Sequence, residues 1–439
     1  MKRKTVVLFT GEEERTDFAP VLGRPLGAYA LEAACGVGPE AVLVLPGPGA
    51  GPAGGWEALI GSAGTKTPVF LLENGGRRPA KRRNALDALA TARPILEDYP
   101  GGDLLIVPSS LPLLRGRTLR ALLRAHAAKG FSLTFLSGGG SGGLTGVLAL
   151  RTADVFPLLR ASAAKTGGPG FGGVARRLTE AGRRVGYVGA ADPGEALAVG
   201  GAADVARAAR ALRDRKNDGL ARRGVVLLDP ASAWIDWAAS VGPRTVIHPF
   251  VVVEGPSAIG PDARIHPHVH IVRSTVGARA QVLSSTVMED TVLEADVQVG
   301  PFSRFRPKTR VCAGAKVGNF VEMKNTVFGP RSKAQHLSYV GDSRVAEDVN
   351  VGAGTITCNY DGSTKNPTRI GAGAFIGSGT ELVAPVTVGR GAYVAAGSTI
   401  TEDVSAGALA IARARQVEKP GWARERAKDR KRRGGGHGP

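Results

Sequence analysis

Cysteine, methionine and aromatic residues are all scarce in this sequence. Its three cysteines, Cys35, Cys312 and Cys358, stand far apart and in odd number among 439 residues. That excludes a disulfide scaffold, offers no structural zinc spacing, and fits a reducing, cytoplasmic compartment. Aromatic residues make up 5%, too few for the stacking platforms that hold single-stranded nucleic acid. Nucleic acid is therefore not the expected partner, although the net charge is +19. No apolar run approaches the roughly 18 residues of a membrane-spanning helix, and Thr5 to Phe9, followed by Glu12-Glu13-Glu14, is too short for a secretory leader. Neither membrane insertion nor export is expected.

Glycine is abundant instead, 62 of 439 residues, about twice its average of ~7%. The first half alternates short apolar runs (Lys4 to Phe9, Ala41 to Leu45, Val69 to Leu72, Leu104 to Val107, Leu133 to Leu136) with amphipathic stretches such as Thr118 to Lys129. That alternation predicts a mostly parallel sheet covered by helices on both faces, an α/β domain. A long helical segment, Ala202 to Arg223, leads into a different texture.

From about Val246 aliphatic residues recur every six positions. Ile259, Ile265 and Ile271 are one series; Val287, Leu293, Val299, Phe305, Val311, Val317 and Met323 are another; Ile370 to Ile400 is a third. A six-residue period matches neither an amphipathic helix nor an alternating strand, and predicts a parallel β-helix of hexapeptide repeats. Val345, Val351 and Thr357 keep step, but the next aliphatic residue is Ile370, so 358–369 must leave the coil as a polar loop. The expected domains are 1–200, a linking segment 201–245, the β-helix 246–404 and a C-terminal segment 405–439. The last 28 residues carry ten basic and three acidic side chains, which reads as a solvated tail beyond Trp422.

Seven histidines are present. His266, His268 and His270 alternate as if on one strand face, a possible metal site, but no Cys or acidic residue nearby in sequence completes a ligand set, and no metal is expected. His126, His248 and His437 read as structural or solvated. His336 has different company. Glu322 and Lys324 come about one coil earlier, Tyr339 follows, and Asn359 and Tyr360 come about one coil later. Residues about eighteen apart stack in such a solenoid, so these groups can converge. An imidazole oriented by a carboxylate is a suitable general base for an amine; a corner histidine bonded to a backbone carbonyl is the alternative.

The runs Val317 to Lys324, Ser332 to Asp342, Asn350 to Gly362, Leu382 to Gly389 and Ala408 to Arg413 resemble the acetyltransferase half of the bacterial bifunctional N-acetylglucosamine-1-phosphate uridyltransferase/glucosamine-1-phosphate acetyltransferase family, over about 225–422. The resemblance implies a left-handed β-helix, a homotrimer with sites at subunit junctions, and acetyl transfer from acetyl-CoA to glucosamine-1-phosphate in UDP-N-acetylglucosamine synthesis. It implies His336 as base, Glu322 as its orienting carboxylate, and Arg306, Lys324, Tyr339, Asn350 and Lys365 on the sugar phosphate. Ala353, Asn359, Tyr360, Ser378, Ala396 and Arg413 fall on acetyl-CoA positions. Asn359 is the candidate oxyanion donor; Cys358 is not expected to act as a nucleophile.

The first half departs from the family's nucleotidyltransferase pattern. Glu12-Glu13-Glu14 replaces the glycine-rich and basic phosphate loop, Pro20 stands at the lysine position before Val21-Leu22, Ser110 at the magnesium-binding aspartate and Ala202 at the magnesium-binding asparagine. Like charge beside a triphosphate repels, and nucleotidyl transfer needs the ion. The expectation is a Rossmann-like, nucleotidyltransferase-like fold that has lost uridylyl transfer, with Mg2+ needed only if that half is active. A fully bifunctional enzyme and a non-enzymatic β-helix scaffold with a basic binding tail are the competing readings.

Overall fold

A computed structural model describes residues 5–11, 15–46, 54–72, 102–139, 143–162 and 171–433, with Ala92 and Leu96. The acidic run Glu12-Glu13-Glu14, Lys4 and the segment Gly434 to Pro439 with His437 lie outside the described residues. The chain divides into two units, Met1–Ala258 with His270–Arg273, and Ile259–Val269 with Ser274–Pro439.

The first unit holds a seven-stranded sheet of β1 (Thr5–Thr10), β2 (Ala41–Leu45), β3 (Val69–Leu71), β4 (Asp103–Pro108), β5 (Leu133–Ser137), β6 (Leu144–Arg151) and β7 (Val185–Gly189). Their order is β3-β2-β1-β4-β6-β5-β7. All pairings are parallel except those of β6, which runs antiparallel to β4 and β5. The sequence reading did not anticipate β6. Alternate residues of β1 and β4 feed two separate cores. Val7, Phe9, Leu105 and Val107 pack with Leu31, Leu119 and Leu122 from helices Leu26–Cys35 and Gly116–Ala128. Val6, Leu8, Leu104 and Ile106 face the other way onto Val155 and Leu178. A sheet buried on both faces needs unbroken apolar strands, which accounts for the apolar runs. This is an α/β fold built on a mostly parallel sheet.

Helix Ala202–Arg222 closes that unit, burying Ala208 and Leu212 against Val21, Leu26, Tyr29 and Leu113. Its Asn217 Nδ2 donates to the carbonyls of Pro230 and Ala233 at 2.8 and 3.0 Å. Lys216 Nζ donates to those of Trp237 and Ala239 at 2.9 and 2.7 Å. These bonds fix the start of a coil that begins before residue 246. Val226–Leu227 and Trp234–Ile235 already pair in parallel with later turns. The onset was hidden because its inward residues include Ala233 and Ala239 rather than a clean aliphatic series.

In the second unit the coil makes three parallel walls. One follows the strands centred on Val282, Val299, Val317, Ala334, Val351, Ile376 and Val394. The next runs through Met288, Phe305, Met323, Val340, Thr357, Leu382 and Ile400, and the third through Leu293, Val311, Phe328, Val345, Ile370 and Val388. We call these the first, second and third walls. Met288 is buried and Val287 is 40% exposed, so Val287 does not belong to the inward ladder. The step from Met288 to Leu293 is five residues, as are Met323 to Phe328 and Val340 to Val345; a coil is therefore 17 or 18 residues long. The first wall continues past residue 404 to Leu409–Ala410. Beyond it, the tail expected from Trp422 contains an exposed helix, Trp422–Arg433, in which the Arg426 guanidinium lies 5.0 Å from the Trp422 ring centroid.

Candidate functional site

The first and second walls meet at a corner, and His336 stands on it. Strand Lys333–His336 pairs in register with Lys316–Asn319, placing His336 directly beside Asn319 on the preceding coil. His336 Nδ1 and Asn319 Oδ1 are 2.8 Å apart. Because the amide oxygen only accepts, this contact places a proton on Nδ1 and leaves Nε2 as the basic atom when the ring is neutral.

The carboxylate expected at the imidazole is engaged elsewhere. Glu322 lies on the second wall, and its Oε1 accepts from Arg306 Nη1 at 2.9 Å. The physical reason is the coil length: a partner for His336 must lie 17 or 18 residues earlier, and Glu322 is 14 away.

The same corner carries a column of small residues. Two positions past the in-register pair Val351 and Ile376 come Ala353 and Ser378, and two past Val394 comes Ala396. Each backbone is tied to the next coil: Gly379 N–H donates to the Ala353 carbonyl at 2.7 Å, and Gly397 N–H to that of Ser378 at 2.8 Å. Arg413 Nη1 donates to the Ala396 carbonyl at 2.8 Å. Asn319 and His336 occupy the equivalent position on the two coils below. Gly318, Gly352 and Gly377 make the stacking possible; a Cβ on Gly318 would lie 1.9 Å from the Gln335 carbonyl oxygen. Among the described residues the Ala353 N–H has no hydrogen-bond partner.

Around the corner, the second wall gathers the cations. Lys365 and Lys324 adjoin within hydrogen-bonding range, and the proximity of Lys365, with smaller contributions from burial and Arg306, holds the Lys324 ammonium below the ordinary lysine range. Two ammonium groups held together, with a guanidinium nearby, have the charge and donors that could answer a phosphate. Lys365 arrives there on the predicted loop, where Tyr360 and Lys365 form an antiparallel bridge. Asp361 fastens the loop by accepting from the Ser363 and Thr364 N–H groups, the Thr364 hydroxyl and Asn366 Nδ2. Those donors hold its carboxyl far below the usual carboxylate range. Tyr360 is exposed, with its hydroxyl on the Gly362 carbonyl at 2.7 Å.

Asn359 is buried, and its Nδ2 donates to Tyr339 Oη at 3.3 Å and to Asp342. Its two amide hydrogens are thus already used. This corrects the expectation of Asn359 as an oxyanion donor; it positions Tyr339. Gly341 leaves room for that phenol, since a Cβ there would lie 2.4 Å from Tyr339 Oη. Asn350 projects from the first wall between Lys333 and Phe375, away from Lys324 and Tyr339 on the second. Burial pushes the Cys358 thiol up, disfavouring its nucleophilic form.

Elsewhere, His270 Nε2 lies 3.2 Å from Glu254 Oε1, an acid one coil back that a linear search around the three alternating histidines misses. His126 is buried, 2.8 Å from Thr134 Oγ1 and 3.6 Å from Asp103. In the α/β unit, Ser109 Oγ donates to buried Asp17 at 2.7 Å, Ser110 follows β4, and Ala202 opens the long helix. Among the described residues no three His, Cys, Asp or Glu side chains cluster as a metal would require. Ser110 and Ala202 offer no carboxylate or amide, so these positions do not fit a magnesium ion. No helix among the described residues is long and apolar enough to cross a membrane.

Residues 367–402 match the family model described as bacterial transferase hexapeptide (six repeats). Over 92% of its length the chain is 36% identical to the "Bifunctional protein GlmU" of Pelobacter propionicus, covering 93% of that protein. It is 37% identical to that of Carboxydothermus hydrogenoformans, over 83% of this chain and 91% of the relative. A shorter match to the protein of the same name from Fervidobacterium nodosum is 48% identical, over 47% of this chain and 46% of the relative.

Proposed function

The chain belongs to the bifunctional GlmU family, and from that premise we propose that it is an acetyl-CoA-dependent N-acetyltransferase acting on glucosamine-1-phosphate in the cytoplasm. The observation that carries this reading is the corner column: one line of stacked coils presents Asn319, His336, Ala353, Ser378, Ala396 and Arg413 in succession. Small residues there let the pantetheine arm of coenzyme A lie along the backbone, and Arg413 at one end meets a coenzyme phosphate. The thioester then lies by His336.

His336 Nε2 takes the proton from the sugar amine as the nitrogen attacks the thioester carbonyl. The carbonyl π electrons move onto oxygen, and their return expels the coenzyme thiolate, which takes up a proton. The free Ala353 N–H is a donor for the transient oxyanion. No acyl-enzyme is needed. Arg306, Lys324 and Lys365 hold the substrate phosphate, and Tyr339, kept in place by Asn359, lines its seat. Asn350, on another wall, reaches a substrate only at a junction between subunits, which supports a homotrimer.

The α/β half, in this reading, does not transfer uridylyl groups, because the metal-ligand positions carry Ser110 and Ala202. Thiol release from acetyl-CoA across a panel of amino-sugar phosphates tests the main proposal. Release with glucosamine-1-phosphate is expected; release with none of the acceptors contradicts it.

A further inference from the structure

The third wall carries a cluster of arginines that the acetyl-transfer reading does not use. Arg344 and Arg369 are direct register partners on successive strands, Arg369 pairs in register with Thr387, and Arg390 follows that strand. All three arginines and Thr387 are among the residues that line one groove of about 380 Å³. In-register strands lie about 4.8 Å apart, and like charges directly opposite one another are destabilising. Three other outward arginines of this unit each meet an acid on a neighbouring coil: Arg279 with Asp296 at 2.7 Å, Arg310 with Glu294 at 2.8 Å and Arg331 with Asp348 at 2.8 Å.

Arg310 lies on the third wall, but from Arg344 onward along that wall the pattern stops. Arg344 donates only to the Ser343 carbonyl, at 3.2 Å. Arg369 and Arg390 have no partner among the described residues. Among the described residues neither Glu347, which follows the strand of Arg344, nor Asp403, which accepts from the Thr387 backbone N–H at 2.7 Å, forms an ion pair with any of the three. Three arginines therefore border one small groove without an ion-pair partner among the described residues.

We propose that this groove is a second anion site, separate from the acetyl-transfer site, which binds a small free molecule carrying a pyrophosphate or an equivalent pair of phosphates. Guanidinium forks match phosphate oxygens two at a time, whereas a single carboxylate leaves most of the charge unanswered. The groove volume suits a small ligand.

Calorimetric titration of the full chain with inorganic pyrophosphate, at fixed ionic strength, tests this. Four proteins are compared: the unaltered chain, the double variant R344Q/R369Q, the double variant K324Q/K365Q, which disables the substrate-phosphate seat, and Arg279→Gln as a bulk-charge control. Circular dichroism and sedimentation check fold and assembly, and acetyl transfer is measured on the same preparations, so failure of the catalytic reading is seen separately. The expected result is binding that survives in K324Q/K365Q and in Arg279→Gln. In R344Q/R369Q it weakens by about ten-fold or more, as loss of two charge-assisted contacts implies, with acetyl transfer retained. Unchanged affinity in R344Q/R369Q would overturn the proposal, as would an equal loss in Arg279→Gln. Dissociation of the assembly in R344Q/R369Q would also overturn it, since these arginines would then answer acids of a second copy.

Discussion

At His336 the decisive contact is with an amide rather than a carboxylate. Asn319 Oδ1 fixes the ring orientation and the Nδ1 proton but adds no full negative charge, so it stabilises the imidazolium less than a carboxylate would. Asn319→Ala is expected to lower kcat roughly ten-fold, with little change in the KM for acetyl-CoA. Asn319→Asp should keep most of the activity that Asn319→Ala loses, because a carboxylate oxygen also accepts from Nδ1. A loss in stability alone would not be rescued by that conservative change. Lys324 makes the second residue-scale prediction. Its ammonium is destabilised chiefly by Lys365, so it loses its proton at lower pH than an ordinary lysine. The KM for the sugar phosphate should therefore rise on the alkaline side before pH reaches the lysine range. Lys365→Gln should raise KM at neutral pH while moving that alkaline rise upward; pH profiles of KM for both proteins check it. The loop that carries Lys365 was legible from the break in the six-residue phase between Thr357 and Ile370, whereas Lys324 and Glu322, 12 and 14 residues before His336, fall short of one coil. The Asn319 contact was legible in principle from the 17-residue step of one coil. The Asn359 assignment failed because nothing in the sequence says that Asp342 and Tyr339 occupy its amide.

The unit of construction at the scale of elements is a coil whose corners exclude side chains. Gly318 sits where a Cβ would overlap the Gln335 carbonyl at 1.9 Å, so Gly318→Ala must push two coils apart directly beneath His336. About 2 to 3 kcal/mol of stability should be lost, the upper part of the usual range for a single substitution. Acetyl transfer should fall even where the protein remains folded; denaturant titration and thiol release on the same sample separate the two effects. The hexad period announced these walls, since each inward aliphatic residue repeats at a corner-to-corner interval. It blurred where one step shortens to five residues, as between Met288 and Leu293. It also blurred at the coil's onset, where Ala233 and Ala239 replace larger aliphatics. In the α/β unit the apolar runs marked five strands, but Leu144–Arg151 opens with Thr145 and Gly146 among its apolar residues, so antiparallel β6 went unseen.

For the whole molecule, the proposed activity depends on assembly, because Asn350 and the Lys324–Lys365 pair lie on different walls of one chain. Sedimentation should give a species of three times 45.3 kDa, and specific activity should decline on dilution in step with loss of that species. Activity that stays proportional to concentration in a monomeric protein would contradict the shared site. The central claim is that the corner imidazole takes the proton from an amino sugar as an acetyl group leaves coenzyme A. Mass-spectrometric detection of the N-acetylated sugar phosphate, in reactions of glucosamine-1-phosphate and acetyl-CoA, tests it directly by comparing the unaltered chain with His336→Ala. The account predicts steady product formation by the former and a rate lower by about 10²- to 10⁴-fold for the folded variant; equal rates for the two proteins would contradict it.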